Sequence, residues 1–384
     1  MFSLGGLDES GKNMFVIEID KNIFVVVFCL LALTIFGCVM VYSTSSYSAQ
    51  KHYGSETFFL IKQIVGVVLG FGCFLFFCFF DYQKLKKFHI VAVIIAIVLL
   101  VLVFIPGLGV ENYGARRWIG LFGITIQPSE IAKFAFVLFA SVYLSKHKKD
   151  IKKFKYLLPV LLVGGVFCLL IITEPNMSIT MCVGLVMLIM LIVGGISLKH
   201  FIIICIPVVC LVPILIIIEP YRLSRLMAFL DPWASPQGEG FQLIESLYSL
   251  GNGGLFGVGL FSSRQKYLYL PFAESDFIFS IIGEELGFFG ASIVVFMFFI
   301  LAFFLIRIAL NAKDSFGSLL VSGITAVIIT QVVLNIAVVT GSIPPTGLPL
   351  PFISAGSTSL IVFMSAIGVC INVYRQSKNN LKKY

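Results

Sequence analysis

The stretch DFIFSIIGEELGFFGASIVVFMFFILAFFLIRIAL (276–310) decides the fold. From Phe277 to Ile306 it is almost continuously apolar, with no strict alternation of apolar and polar residues. Continuous apolarity favours a helix over a barrel strand, which would alternate. The run exceeds the roughly 20 apolar residues that a helix needs to cross a bilayer. Lipid offers the backbone no hydrogen-bond partner, so a crossing segment must satisfy its own peptide groups, as a helix does. Charge enters the stretch only at Asp276, where a polar loop meets the run, at Glu284 and Glu285 two turns further on, and at Arg307.

Nine more apolar runs surround it, at about 23–43, 58–80, 88–105, 129–145, 156–173, 177–195, 200–218, 315–340 and 352–374. Together they predict an all-α membrane protein of about ten transmembrane helices, one polytopic domain over 1–384. Composition agrees. The chain is 59% hydrophobic and 12% charged, against about 25% charged in soluble proteins. That deficit excludes an ordinary soluble enzyme, a disordered chain and a nucleic-acid-binding module. The first run begins behind a polar tail holding Asp8, Glu9, Lys12, Glu18, Asp20 and Lys21 and has no clear small-residue cleavage site, so it is read as a retained span. All nine cysteines fall inside apolar runs and read as small hydrophobes.

Placing the N-terminus inside puts 18 Lys and Arg in the inner segments and eight in the outer ones, with Lys133 inside a span. The inner set is Lys12, Lys21, Lys84, Lys86, Lys87, the six lysines of KHKKDIKKFK (146–155), Lys199, Arg307, Lys313, Arg375, Lys378, Lys382 and Lys383. The positive-inside rule therefore predicts both termini in the cytoplasm. The +8 formal charge is mostly this topology signal. The longest loop, 219–275 between spans 7 and 8, is then extracytoplasmic.

That loop holds candidate chemistry. Ionisable residues at or inside a span are functional suspects, and Asp276 leads them, although Asp is also a favoured helix N-cap. Glu284 and Glu285 serve equally as buried braces. Arg222 and Arg225 share a helical face. With Arg116, Arg117, Arg264 and Lys266 they collect on the side of Asp276, and such cations suit a lipid-linked phosphate. In FQLIESLYSL (241–250), Gln242, Glu245, Ser246 and Ser249 make one polar stripe, as in a helix lying at the membrane surface; a loop helix packed on the spans fits as well. GNGGLFGVG (251–259) lacks the ending of a phosphate-binding P-loop and reads as a turn. Glu130 and Lys133, three residues apart in the fourth span, read as a structural ion pair. Gln331 and Asn335 read as interhelical glue.

Five stretches resemble the SEDS family (shape, elongation, division and sporulation), which includes FtsW, RodA and SpoVE. They are GARRWIGLFGITIQPSEIAK (114–133), RLMAFLDPWASPQGEGFQLIESLYSLGNGGLFGVGL (225–260), QKYLYLP (265–271), DFIFSIIGEELGFFG (276–290) and TGLPLPFIS (346–354). The wording is closer to the division and sporulation branch than to RodA. The resemblance implies a multi-pass protein of the bacterial plasma membrane, a peptidoglycan glycosyltransferase that polymerises lipid II outside the membrane. It implies a class B penicillin-binding protein as transpeptidase partner, and other divisome or sporulation proteins around it. The family's catalytic aspartate falls on Asp276, its paired basic residues on Arg116 and Arg117, and its fourth-span pair on Glu130 and Lys133. No cofactor is fixed, and a divalent cation, Mg or Mn, is an open aid to the leaving pyrophosphate. Three positions depart from the pattern. Ala355-Gly356-Ser357 stands where Tyr-Gly-Gly is usual, Glu174-Pro175-Asn176 where Gln-Pro-Asp is usual, and Phe272 where Glu is common. Two other classes compete: a lipid II transporter, which would concentrate ionisable groups near the midplane, and a non-catalytic scaffold, which would not need Asp276.

Overall fold

A computed structural model of the chain describes residues 20–112, 115–121 and 124–381, together with two short strands, β1 (Gly6–Leu7) and β2 (Asn13–Met14). Lys12, Lys382 and Lys383, counted above among the inner charges, lie outside the described residues. Each of the ten apolar runs forms a helix: α1 (Lys21–Tyr53), α2 (Phe58–Phe79), α3 (Tyr82–Leu102), α4 (Pro128–Lys146), α5 (Leu158–Thr173), α6 (Met177–Val193), α7 (Leu198–Ile218), α10 (Ile278–Leu310), α11 (Ser315–Val339) and α12 (Ser357–Leu381). Eight of these are long and apolar enough to cross a membrane, and α5 and α6 are shorter apolar helices. The long loop adds α8 (Pro220–Leu230) and α9 (Phe241–Gly253).

The best-buried helices are α4, α11 and α12. α11 packs on α4, α6 and α10, and α12 packs along α2. Small residues permit the closest approaches. At Gly37 of α1 an added Cβ would stand 2.7 Å from the backbone of Ile353, so the 341–356 segment is wedged against the bundle.

Two details depart from the sequence reading. The chain is not wholly helical: three strands, β3 (Gly109–Asn112), β4 (Ala115–Leu121) and β5 (Ile124–Ile126), form an antiparallel sheet. Val110 pairs with Trp118 and Ile119 with Ile126, and a bulge follows Val110. The second departure is in α10, which is not one straight span. Gly287 sits at φ 69°, ψ −170° and divides it into 278–286 and 288–310. The second piece, at about 1.5 Å per residue, is already long enough for the bilayer. Glu284 and Glu285 therefore stand before the kink instead of deep in a span.

The two ends of the bundle differ chemically. At one, Tyr82 and Lys86 bond Asp314 at 2.6 and 3.1 Å, Lys148 bonds Ser315, and Lys378 and Tyr374 both hold Asp20 beside the start of α1. This end gathers the start of α1, the C-terminal part of α12 and the lysine-rich loops. The other gathers the sheet, α8, α9 and the 341–356 segment.

Candidate functional site

Asp276 is held by its backbone. Asn335 of α11 donates to the Asp276 carbonyl at 2.7 Å and to the Leu348 carbonyl at 2.6 Å. Ser354 donates to the Ser275 carbonyl at 2.6 Å while accepting from the Leu350 amide at 2.7 Å. The Ala355 amide donates to the Glu274 carbonyl, and Gln63 of α2 donates to Ser354 at 3.2 Å. Residues 274–276 and the Pro-rich segment are thus stitched together, and the carboxylate lies over Gly347, where a Cβ would come within 2.6 Å of its Oδ2. A side chain at position 347 would press on the carboxylate and force it to shift. Asp276 does not cap α10: the residue at the N-cap is Phe277, and no side chain caps the helix.

The Glu130–Lys133 pair supports this frame from below. Both residues are wholly buried, 2.9 Å apart. Lys133 also donates to Gln331, whose amide donates to the Pro349 carbonyl at 2.8 Å. The expected ion pair and the expected interhelical glue are one relay, ending two residues from Gly347.

Burial and nearby charges both act on Asp276. Burial pushes its carboxyl up to about 6; Arg117 and Arg225 pull it down, and Glu274 pushes it up. Desolvation lowers Arg117 in turn. Arg225 donates to the Pro345 carbonyl at 3.1 Å, sits 3.9 Å from Glu239 and stacks over Tyr221. Arg222 reaches the Ile172 carbonyl at 3.4 Å. Arg117 donates to the carbonyls of Glu174 and Pro175. Successive residues of a strand face opposite ways, and Arg116, opposite Glu111 in the register, is exposed. Arg117 and Arg225 are the members of the expected basic set that act on the Asp276 carboxyl.

Lys266 requires a correction. It is 5% exposed, bound to Glu285 at 3.1 Å and to Ser43 of α1 at 3.3 Å. Its ammonium is engaged in the interior and offers no open face to a surface phosphate. It belongs to a cluster in which Glu285 accepts from Ser43 and the Ser263 amide, and Glu284 accepts from Ser249, Ser263 and the Arg264 amide. These glutamates are the braces that the sequence allowed.

The glycine run is part of the same brace. At the Gly287 kink the helix leaves peptide groups unpaired, and the run meets them: Val258 and Gly259 donate to the carbonyls of Glu284 and Glu285, and Phe288 and Phe289 donate to those of Gly254 and Leu255. A Cβ on Gly257 would fall 2.2 Å from the Glu285 carbonyl oxygen. The polar stripe of α9 also turns inward. Ser246 bonds Ser280 and the Val339 carbonyl, whereas Leu247 and Tyr248 are exposed. The helix is packed on the spans through its serines, which find partners there.

Sequence reasoning passed over Gln63 and Ser354, which stood out only as isolated polar residues beside or within apolar runs. Glu174 stands out in the sequence only as a departure at a turn. Among the described residues no group of three His, Cys, Asp or Glu side chains comes together to hold a metal.

Residues 23–379 match the FtsW/RodA/SpoVE family model, described as cell cycle protein. The chain is 40% identical to Stage V sporulation protein E of Bacillus subtilis, over 94% of this chain and 98% of the relative. It is 38% identical to the probable peptidoglycan glycosyltransferase FtsW of Geobacter sulfurreducens, over 94% and 97%. A solved chain from work on polymerization and crosslinking by a peptidoglycan synthase complex superposes with TM-score 0.77 at 27% identity, covering 94% of this chain and 99% of that one. Rod shape determining protein RodA of Thermus thermophilus shares the fold at TM-score 0.69.

Proposed function

This chain belongs to the FtsW/RodA/SpoVE family of cell cycle proteins, and we propose that Asp276 is the general base of its glycosyltransferase reaction. The protein is a peptidoglycan glycosyltransferase of the bacterial membrane, crossing it several times. The observation that carries the residue assignment is a carboxylate clamped by its backbone, lying over Gly347 and flanked in charge by Arg117 and Arg225.

The substrate of this reading is lipid II, at the extracytoplasmic end. The GlcNAc 4-hydroxyl of the acceptor lies near Asp276, which takes its proton as the oxygen attacks the anomeric carbon of the donor MurNAc. The bond from that carbon to the pyrophosphate breaks, and undecaprenyl pyrophosphate leaves with the electron pair. One displacement inverts the α-linked donor to a β-1,4 glycan. With its carboxyl near 6, Asp276 is ionised at neutral pH yet basic enough to accept a proton. Arg117 and Arg225 offset the charge developing on the pyrophosphate, with Arg116 and Arg222 at the rim. Mg or Mn accompanying the pyrophosphate stays part of the reading. The described side chains build no cage for it, and no step depends on it. A class B penicillin-binding protein is the partner of the reading, with other divisome or sporulation proteins about it.

The test is polymerisation by the purified chain, alone and with candidate penicillin-binding proteins, on labelled lipid II. Glycan ladders support the reading. Movement of lipid II across liposomes without polymer would instead mark a transporter, and normal growth of cells carrying Asp276→Ala would mark a scaffold.

A further inference from the structure

Glu174 closes α5 and has 0% exposure, and neither of its carboxylate oxygens has a hydrogen-bond partner. A buried polar group without a partner is costly, and in a native fold it calls for a reason. Its neighbour is a cation. Arg117 of β4 bonds the main-chain carbonyls of Glu174 and Pro175 and leaves the carboxyl of the same turn unmet. Arg117 is in turn one of the two guanidinium groups that act on the Asp276 carboxyl. The turn therefore presents Arg117 with two kinds of acceptor, neutral carbonyls that it uses and a carboxyl that it does not.

We propose that Glu174 is a positioning residue for Arg117: neutral, it leaves the guanidinium on the turn carbonyls and available to the substrate pyrophosphate; charged, it captures the guanidinium as an ion pair. This rests on the glycosyltransferase reading above and adds to it a control on one arginine. The carboxyl is suited to both states. Burial pushes it up to about 8, with Arg117 pulling it back, so it is neutral at pH 7 and ionises as pH rises through about 8. The other charged or titratable groups near the pair are Arg222, bonded at Ile172, then Tyr221 and Arg225 of α8, and Asp276. Asp276, with its carboxyl at about 6, is mostly ionised on both sides of pH 8.

The experiment measures binding of undecaprenyl pyrophosphate in detergent micelles by the full-length chain at pH 6.5 and pH 9, for wild type and Glu174→Gln. At pH 9 about a tenth of the Glu174 carboxyls stay neutral, so apparent affinity falls about tenfold in the wild type. Glu174→Gln, which carries the same shape without the charge, holds equal affinity at both pH values. Glu174→Ala does the same if glutamine perturbs the turn. The KM for lipid II follows the same pattern, with kcat at pH 6.5 unchanged. Parallel pH dependence in wild type and both variants overturns the proposal, as does loss of binding at pH 6.5 by both Glu174→Gln and Glu174→Ala. Binding is read without turnover. A chain that binds with this pattern but makes no polymer would therefore count against the glycosyltransferase reading and leave the Glu174 inference standing.

Discussion

Glu285 and Asp276 stand nine residues apart at the start of α10 and meet opposite surroundings. Glu285 accepts from Ser43, the Ser263 amide and Lys266, so its charge is spent on joining α1, the 257–266 loop and the kinked helix. Asp276 is restrained through its main chain, while its carboxylate lies over a glycine within the field of two arginines. A buried carboxylate whose oxygens are all met by donors holds a structure together. A carboxylate fixed at its backbone, with its proton affinity raised by burial, suits the general-base role proposed for Asp276.

The comparison is broken or sharpened by substitution at either end. Asp276→Asn should cut turnover on lipid II about 10²–10⁴-fold, the range of a lost general base, with the thermal melt in detergent unchanged or raised. Glu285→Ala should do the reverse. It leaves the Lys266 charge buried without its partner, a loss of about 3–5 kcal/mol in stability, visible as a lower melting temperature and poor recovery from the membrane. Combining Glu285→Gln with Lys266→Met should restore most of that loss, since no unpaired charge remains. A smaller effect is expected where the frame of Asp276 alone is loosened. Asn335→Leu removes the donor shared by the carbonyls of Asp276 and Leu348. Misplacing a catalytic group by an ångström can cost about a hundredfold, so turnover should fall roughly ten- to a hundredfold with KM little changed. An equal fall in melting temperature and rate would make Asn335 merely structural.

Much of this was legible in the residues. The ten apolar runs became helices because continuous apolarity leaves no other economical way to satisfy a backbone in lipid. Asp276 could be picked out because so few charges lie near the spans. The sheet of β3, β4 and β5 was not legible, since its strands are short and set among glycines. The kink at Gly287 was hidden because glycine is common within membrane helices, and only the docking of Gly254–Gly259 on the broken helix reveals it. Lys266 looked like a surface cation because its neighbours in sequence are polar; tertiary packing buried it. Glu174 registered only as a departure from a familiar turn, because an unmet carboxyl is a property of its three-dimensional surroundings.

The central claim is that Asp276 works as a base near its shifted pKa. The direct test is the pH dependence of kcat/KM for lipid II polymerisation, which reports groups of the free enzyme. With the carboxyl at about 6, the deprotonated base is lost as pH falls, so the rate should drop about tenfold for each pH unit below that value. The residual activity of Asp276→Asn should lack this limb. A wild-type profile flat between pH 5 and pH 7, or an Asp276→Asn variant that keeps both the limb and a near-normal rate, would contradict the account.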